Sequence, residues 1–593
     1  MIFSLTFLML LSVRPGAGLA NKPLQWKPLC EPGSGGAITS LCISPFDHNR
    51  VLVGGDMLGI GLSDDRGEHW QATFGLTAYE ISAFTWHPVQ KNTVWAGTMM
   101  GPFISLDGGS NWQPKRKGMP EIAWGGYSCP IEKIIFDPNN VRRLLAFGGS
   151  RRQWGKPANN APWTIWESLD NGESWTKLAQ IGDKGVNVLS ASFAAGSSKV
   201  VYIAAEERGV FKSVDGGKTW TEANAGLPNM TIHHLRTHPT KANTLWITLG
   251  KEGVYKSTDG AKSWQQSSQG LSHDGQYMAL AVCQSKPDNL ITCDFNFMGG
   301  TIYRSTDGGA TWKGELNGSN FVRAYAAGPQ WGQLELDPND PNIAFAGNTE
   351  TIQRTVDGGK TWTDTSSHQP NGKDGGWRGN GYSGLCTMKF RFSPFNSKDS
   401  AFVAMDNGNL WISRDGLKTW NWADHGIPQW GGVNDMAFTD SAGNYTVNPP
   451  SKDLVVETPA GKSSSACRVP TKDGSVLYAV YKEKGKLYKQ TNGGAWSVIR
   501  EQEEMSAVAA DPTDPRRVMF STHDNPYHDV IRATGIWASD DGGQTWSRQN
   551  NGLGMLRGDV LVVNPHDPTQ WIFGSNGRGY WVTSWPKADA VSH

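Results

Sequence analysis

The chain has no surplus of either charge. Its 55 basic and 55 acidic residues cancel, and no block of one sign interrupts the sequence. That argues against a nucleic-acid footprint or a patch that tracks an anionic membrane surface. Cysteine is scarce, 7 in 593 residues, and no CxxC or Cys/His spacing of a zinc site occurs. Cys30, Cys42, Cys129, Cys283, Cys293, Cys386 and Cys467 read as small buried hydrophobes, with one or two disulfides expected among them. Long apolar runs are missing too: beyond residue 20 none could span a bilayer. The expectation is therefore a protein that needs no metal or cofactor, binds neither nucleic acid nor membrane, and is a monomer.

The first 20 residues differ from the rest. Ile2 to Val13 is apolar, and Gly18-Leu19-Ala20 reads as the small-residue end of a signal peptide. The mature chain is expected to begin at Asn21 and to be secreted or periplasmic.

What the sequence does have is an internal repeat, and repeats decide fold before anything else. The pattern Ser/Thr-x-Asp-x-Gly-x-x-Trp is intact at Ser63–Trp70, Ser105–Trp112, Ser168–Trp175, Ser213–Trp220, Ser305–Trp312, Thr355–Trp362 and Ser539–Trp546. Ser257–Trp264 and Ser413–Trp420 keep the pattern except for the glycine, replaced by Ala261 and Leu417, and Gln490–Trp496 is a decayed copy. This is an Asp box. Its carboxylate can accept N–H groups inside a hairpin turn, its glycine can take φ > 0, and its Trp packs under a neighbouring strand. The box aspartates are therefore expected to be structural. Upstream, one strand ends in a Pro turn and a second apolar strand follows, as in Ile135-Phe136-Asp137-Pro138 and Leu144-Leu145-Ala146-Phe147-Gly148. Three strands before the turn and one after it make a four-stranded antiparallel blade.

The fold class is thus all-β, an Asp-box β-propeller. Seven repeats occupy residues 35–365, and four or five more occupy 380–593. Because more than about eight blades rarely form one ring, two propellers in tandem are expected, residues 21–370 and 371–593, with one very large ring as the alternative. Leu24-Gln25-Trp26-Lys27-Pro28 looks like an outer strand without its own blade. It is expected to pair with the last blade and close the ring.

Beyond the box, several stretches resemble glycoside hydrolase family 74, the tandem-propeller xyloglucanases. They are Pro32–Asp56, Cys129–Gly148, Thr301–Trp312 and Gly574–Tyr580, and the resemblance covers most of residues 24–365 plus the C-terminal strand. It implies an inverting hydrolase of a β-linked, xyloglucan-like polysaccharide, with two aspartates facing each other across a cleft. The first matches Asp56 on the third strand of its blade, with Asp56-Met57-Leu58-Gly59 standing for the family's Asp-Ile-Gly-Gly. For the second, the blade that opens the later half repeats the layout of the first. Val403-Ala404-Met405-Asp406 answers Val53-Gly54-Gly55-Asp56, which makes Asp406 the expected partner. Asp406 is read as general acid and Asp56 as base, or the reverse, and Asp294 is a lesser candidate.

Sugar subsites need exposed aromatic faces. Ten of the 27 Trp belong to boxes, so the candidates are those in Gly-rich loops: Trp124 with Tyr127, Trp154, Trp377 and Trp430. Two other classes compete. A sialidase needs an Arg-Ile-Pro segment near the start, and the nearest text, Cys467-Arg468-Val469-Pro470, comes far too late. A non-catalytic propeller that binds glycan or protein, as sortilin-type receptors do, is the other.

Overall fold

The computed structural model describes residues 23–33, 36–57, 59–122, 128–148, 152–153, 156–157, 163–181, 188–294, 301–316, 333–347, 351–372, 375–405, 409–423, 432–451, 453–524 and 531–586. They form antiparallel sheets, eleven of them four-stranded. Seven innermost strands follow one another around a ring: Ile38–Ser44, Ile81–Trp86, Ile131–Asp137, Val188–Phe193, His234–Thr237, Tyr277–Val282 and Gln333–Leu336. Each packs beside the next, and the seventh packs back on the first. A seven-bladed ring is therefore closed before residue 370, which rules out one large ring.

The second half is smaller. Four complete blades begin at Thr387–Phe392, Ser465–Thr471, Met505–Asp511 and Val560–Val563. The last three stand side by side, and the Val560–Val563 blade also packs on the Thr387–Phe392 blade. A two-stranded element, Met436–Phe438 with Tyr445–Val447, packs on that same blade through Val433, Met436 and Phe438. The outer strand of the final blade comes from the other end of the sequence, because Lys27–Pro28 pairs with Trp581 and Val582 of Tyr580–Ser584. Trp26 is buried there, its indole N–H donating to the Gln549 carbonyl at 2.7 Å.

The boxes act as turn locks. In Ser213–Trp220 the Ser213 hydroxyl donates to Asp215 at 2.8 Å and accepts the Gly217 N–H at 2.8 Å. Asp215 then accepts the Thr219 N–H at 2.9 Å and the Thr219 hydroxyl at 2.5 Å. Such bonds stabilise the ionised carboxylate and hold its pKa below the usual value, to about 2 at Asp170. The degenerate copies keep the geometry: Ala261 and Leu417 sit at φ of 63° and 70° where the other boxes have glycine. None of the seven cysteines is in a disulfide, so the expected bridges are not formed. Burial in a β-rich core suffices for them, as at Cys283 and Cys293.

Several box tryptophans, Trp70, Trp112, Trp175, Trp264 and Trp312 among them, also fasten their blade to the preceding one. The Trp264 N–H donates to Ala225 at 2.9 Å, and its indole N–H to Ala223 at 2.7 Å. The close approach requires glycine. A Cβ on Gly226, which has φ of 88°, would lie 2.5 Å from the Trp264 carbonyl oxygen. The same contact recurs between Gly75 and Trp112, Gly118 and Trp175, Gly270 and Trp312, Gly381 and Trp70, and Gly552 and Trp26. Gly196 is also left-handed, at φ of 64°, but nothing lies within 4 Å of it. Gly196→Ala should therefore cost only the left-handed backbone penalty, about 1–2 kcal/mol, whereas Gly226→Ala should cost clearly more. Thermal unfolding of the two variants side by side checks this, and equal shifts would show that the Gly–Trp contact does not tie the blades.

Candidate active site

Asp56 follows the strand Asp47–Gly55 and lies in the turn that leads to Ile60–Ser63. It is thus on the turn between the second and third strands of its blade rather than on the third strand, because the chain must reverse before Ile60. Its N–H donates to the Ala37 carbonyl at 3.1 Å, and its Oδ1 accepts the Ala37 N–H at 3.4 Å. The carboxylate is half-buried.

The two halves of the chain meet around this turn. Gly577, at φ of 105°, passes so close that a Cβ would lie 2.6 Å from the Met57 carbonyl oxygen. The Tyr382 ring packs into the space beside Gly61, and Tyr79 packs beside Gly59. Arg578 lies over the Tyr382 ring at 5.1 Å, and Arg557 over the Tyr79 ring at 5.0 Å. Arg557 donates to Asp524 at 2.9 Å in an ion pair whose side chains are each 1% exposed. Burial raises the Tyr382 phenol, with the Asp56 charge adding to the effect and Arg578 opposing it. The turn that carries Asp56 is therefore flanked by two tyrosines, each covered by an arginine from the C-terminal part of the chain.

Behind them is Glu31, 1% exposed. One of its oxygens accepts the Tyr580 N–H at 2.9 Å, while the other is buried without a partner. Desolvation pushes its carboxyl from the ordinary 4.5 up to about 7.

The expected partner, Asp406, lies outside the described residues, as do Trp124, Tyr127, Trp154 and Trp430. The flanking register is nevertheless informative. In the first blade Ile38 pairs Gly55 and Leu41 pairs Val53. In the Thr387–Phe392 blade Thr387 pairs Ala404 and Phe390 pairs Phe402. The Met405 N–H donates to Cys386, as the Asp56 N–H does to Ala37. The place of Asp56 is thus taken by Met405, one residue before Asp406, because the first two strands and the turn joining them are of equal length in the two blades. Trp377 is half-buried and pairs through its backbone with Trp420, packing against the core around Phe390 and Phe402. That position joins one blade to the next. Asp294 ends the strand Leu290–Asp294 and accepts the Gln276 N–H at 2.9 Å.

Arg578, Tyr382, Tyr79, Arg557 and Asp524 were not singled out from the sequence. A signal was present for Tyr382: it follows the staple glycine Gly381, where Leu76, Met119, Leu227, Leu271 and Leu553 follow the equivalent glycines.

Comparison with known proteins adds to this geometry. Residues 163–298 match the family model described as Sortilin, neurotensin receptor 3, a β-propeller family. A protein of Paenibacillus sp named xyloglucanase is 21% identical over 96% of this chain and 62% of its own length. A xyloglucanase of Acetivibrio thermocellus is 24% identical over 50% of this chain and 40% of its own. The GH74 enzyme of Niastella koreensis superposes with a TM-score of 0.65 at 16% identity, covering 95% of this chain and 100% of its own. The GH74 xyloglucanase of Xanthomonas campestris gives 0.64 at 17%, with the same coverage. The chain resembles glycoside hydrolase family 74. It spans less than two thirds of the length of the curated relatives it matches. The family 74 likeness in structure shows a shared tandem-propeller fold.

Glu31 gives a pH prediction. A carboxyl whose folded pKa is raised contributes stability that is fully present below about 4.5 and lost as pH rises through about 7. The apparent Tm should fall between pH 5 and pH 8, and Glu31→Gln should blunt that fall. An unchanged slope in the variant would mean that Glu31 does not carry the effect.

Proposed function

We propose that this protein is an exported glycoside hydrolase that cleaves a β-linked, xyloglucan-like polysaccharide with inversion. The observation that carries the reading is the position of Asp56, on the turn where the two rings meet, in a chain similar along 96% of its length to a protein named xyloglucanase. Glycoside hydrolysis needs two carboxyl groups on either side of the scissile bond, and inversion needs room for a water between them, roughly 6.5–9.5 Å. In this reading Asp56 is the base that activates the water, and Asp406, from the second half, protonates the departing glycosidic oxygen. Tyr79, Tyr382, Arg557 and Arg578 hold the Asp56 turn in place and keep its surroundings polar. Fixing both carboxyl groups on rigid blades lowers the entropic part of the barrier, because water and sugar meet in one orientation.

Reducing-sugar release from xyloglucan and a panel of other β-glucans tests the proposal. The expected result is release by the wild type and a loss of about 10²–10⁴-fold in Asp56→Asn with circular dichroism unchanged. The two roles separate with a substrate whose leaving group needs no proton, such as a nitrophenyl glycoside of a xyloglucan oligosaccharide. Asp406→Asn should retain most activity on it, and Asp56→Asn should not; the opposite pattern exchanges the roles. Failure of every glycan to be cleaved would sink the enzymatic reading. Glycan retention without cleavage would then favour a binding propeller, to which the sortilin-model match over residues 163–298 lends support.

A further inference from the structure

Residues 28–31 run between the two segments that bound the Asp56 turn. On one side, the Gly379 N–H donates to the Cys30 carbonyl at 2.8 Å, in the segment that leads to Tyr382. On the other, the Leu29 N–H donates to the Tyr580 carbonyl at 2.9 Å, and the Tyr580 N–H returns to the Glu31 carboxyl at 2.9 Å. Cys30 takes φ of 60°, a left-handed conformation that an L residue holds only where its surroundings impose it. The residue after this strained position is Glu31, with its side chain buried.

The Glu31 carboxyl grips both segments at once. The Ser383 hydroxyl, next to Tyr382, bonds to it. Gly579, next to Arg578, has no room for a side chain, because a Cβ there would strike both this carboxyl and Ser383. Gly577 of the same turn bears on the Met57 carbonyl, one residue from Asp56. Little offsets a negative charge at this place. The cavity that Glu31 shares with Tyr382, Ser383, Arg578 and Tyr580 measures about 10 Å³, scarcely room for one water. Arg578 lies over the Tyr382 ring, and its charge acts on Tyr382 and Tyr79. Arg378 acts on the Cys30 thiol. Cys30 beside Glu31, and Tyr382 and Tyr580 from the facing segments, are all held protonated by burial.

We propose that Glu31 is a positioning residue for hydrolysis at Asp56, a neutral carboxyl that clamps the Ser383 segment to the Gly577–Tyr580 turn and parts them when it ionises. The inference rests on the hydrolase reading above, in which Asp56 is the base. The bonds from Ser383 and Tyr580 favour the ionised form, but desolvation outweighs them and raises the carboxyl to about 7. The clamp is therefore complete at lower pH and is lost as pH rises through that value. An ionised carboxyl gains by admitting water, and water enters only if the two segments separate. Gly577 then no longer presses on Met57, and the Asp56 turn loses its fixed place.

The nitrophenyl glycoside of a xyloglucan oligosaccharide is the suitable substrate, because its leaving group needs no acid and the titration of the general acid drops out of the profile. Wild-type kcat should fall about tenfold between pH 6 and pH 8, as one group titrating near 7 requires, with KM little changed. Glu31→Gln, neutral at every pH, should flatten that fall. Glu31→Ala should lower kcat at both pH values, and Ser383→Ala should lower it at pH 6. A fall as steep in Glu31→Gln as in the wild type, or no fall in the wild type, overturns the proposal. Hydrogen exchange of the same full-length proteins, corrected for intrinsic rate, reads the clamp without activity. Residues 377–386 and 574–584 should be less protected at pH 8 than at pH 6 in the wild type, and equally protected at both in Glu31→Gln. Equal protection in the wild type would overturn the proposal too. If no glycan is cleaved, the hydrolase reading fails and exchange alone decides the clamp. The wild type and Ser383→Ala keep the test open if neither Glu31 variant folds.

Discussion

A backbone N–H of a tryptophan, donated to the blade before it, is the bond on which the architecture depends. Within a blade the strands satisfy one another, but an outer strand of two residues, such as Thr221–Glu222 or Gln265–Gln266, has little to hold it. The Asp box fixes the hairpin that leads into it. The box Trp then reaches sideways: Trp112 to Phe74, Trp175 to Lys117, Trp312 to Gln269, and Trp70 to Asn380. The last of these runs from the first blade to the segment just after the seventh, so the device that links neighbours also helps close the first ring. The unused edges of short outer strands are thereby covered, which is how propellers avoid open sheet edges.

Closing the first ring this way also shapes the candidate site. The segment that receives Trp70 is Asn380-Gly381-Tyr382, and Tyr382 continues from that staple into the space beside Gly61. From the other side Gly577 and Arg578 arrive on the last blade, whose outer strand is Lys27–Pro28. The surroundings of Asp56 are thus built from two closures, one for each ring. Local backbone requirements at Gly381 and Gly577 place aromatic and cationic groups that are remote in sequence.

The fold was largely legible because the box is a local motif whose residues bond to one another: Ser213, Asp215, Gly217 and Thr219 lie within one turn, so their pattern survives in the text. Trp26 was readable for the same reason, since it keeps the form of a box tryptophan without a box. Of the candidate site only Asp56 was singled out in the sequence, through a stretch that resembles family 74. Arg578 appeared in a quoted segment, but nothing in Gly577-Arg578-Gly579-Tyr580 indicates that its guanidinium would stack on Tyr382, nearly two hundred residues earlier in the chain. The Arg557–Asp524 pair was equally hidden, because neither residue belongs to the repeat. Aligning Asp406 with Asp56 by text slipped one place against the strand register, since turn length is read less surely than strand pattern. The recurring glycine before Leu76, Met119, Leu227, Leu271 and Leu553 was an available signal that went unread. Its meaning depends on a carbonyl oxygen contributed by the next blade.

The strand Lys27–Pro28 has a consequence for how the molecule is made. Leu24 and Trp26 bond to Gln549 across more than five hundred residues of intervening chain. During synthesis the seven-bladed ring can assemble as soon as its last blade has emerged, because its closing contacts lie within residues 38–380. The smaller ring cannot. Its first-made strand must wait, unpaired, until the last-made blade arrives, so this ring is completed only after nearly all of the chain has left the ribosome. Until then the segment around Trp26 is an exposed aromatic strand awaiting its own partner, and the order of translation imposes an order of folding on the two rings.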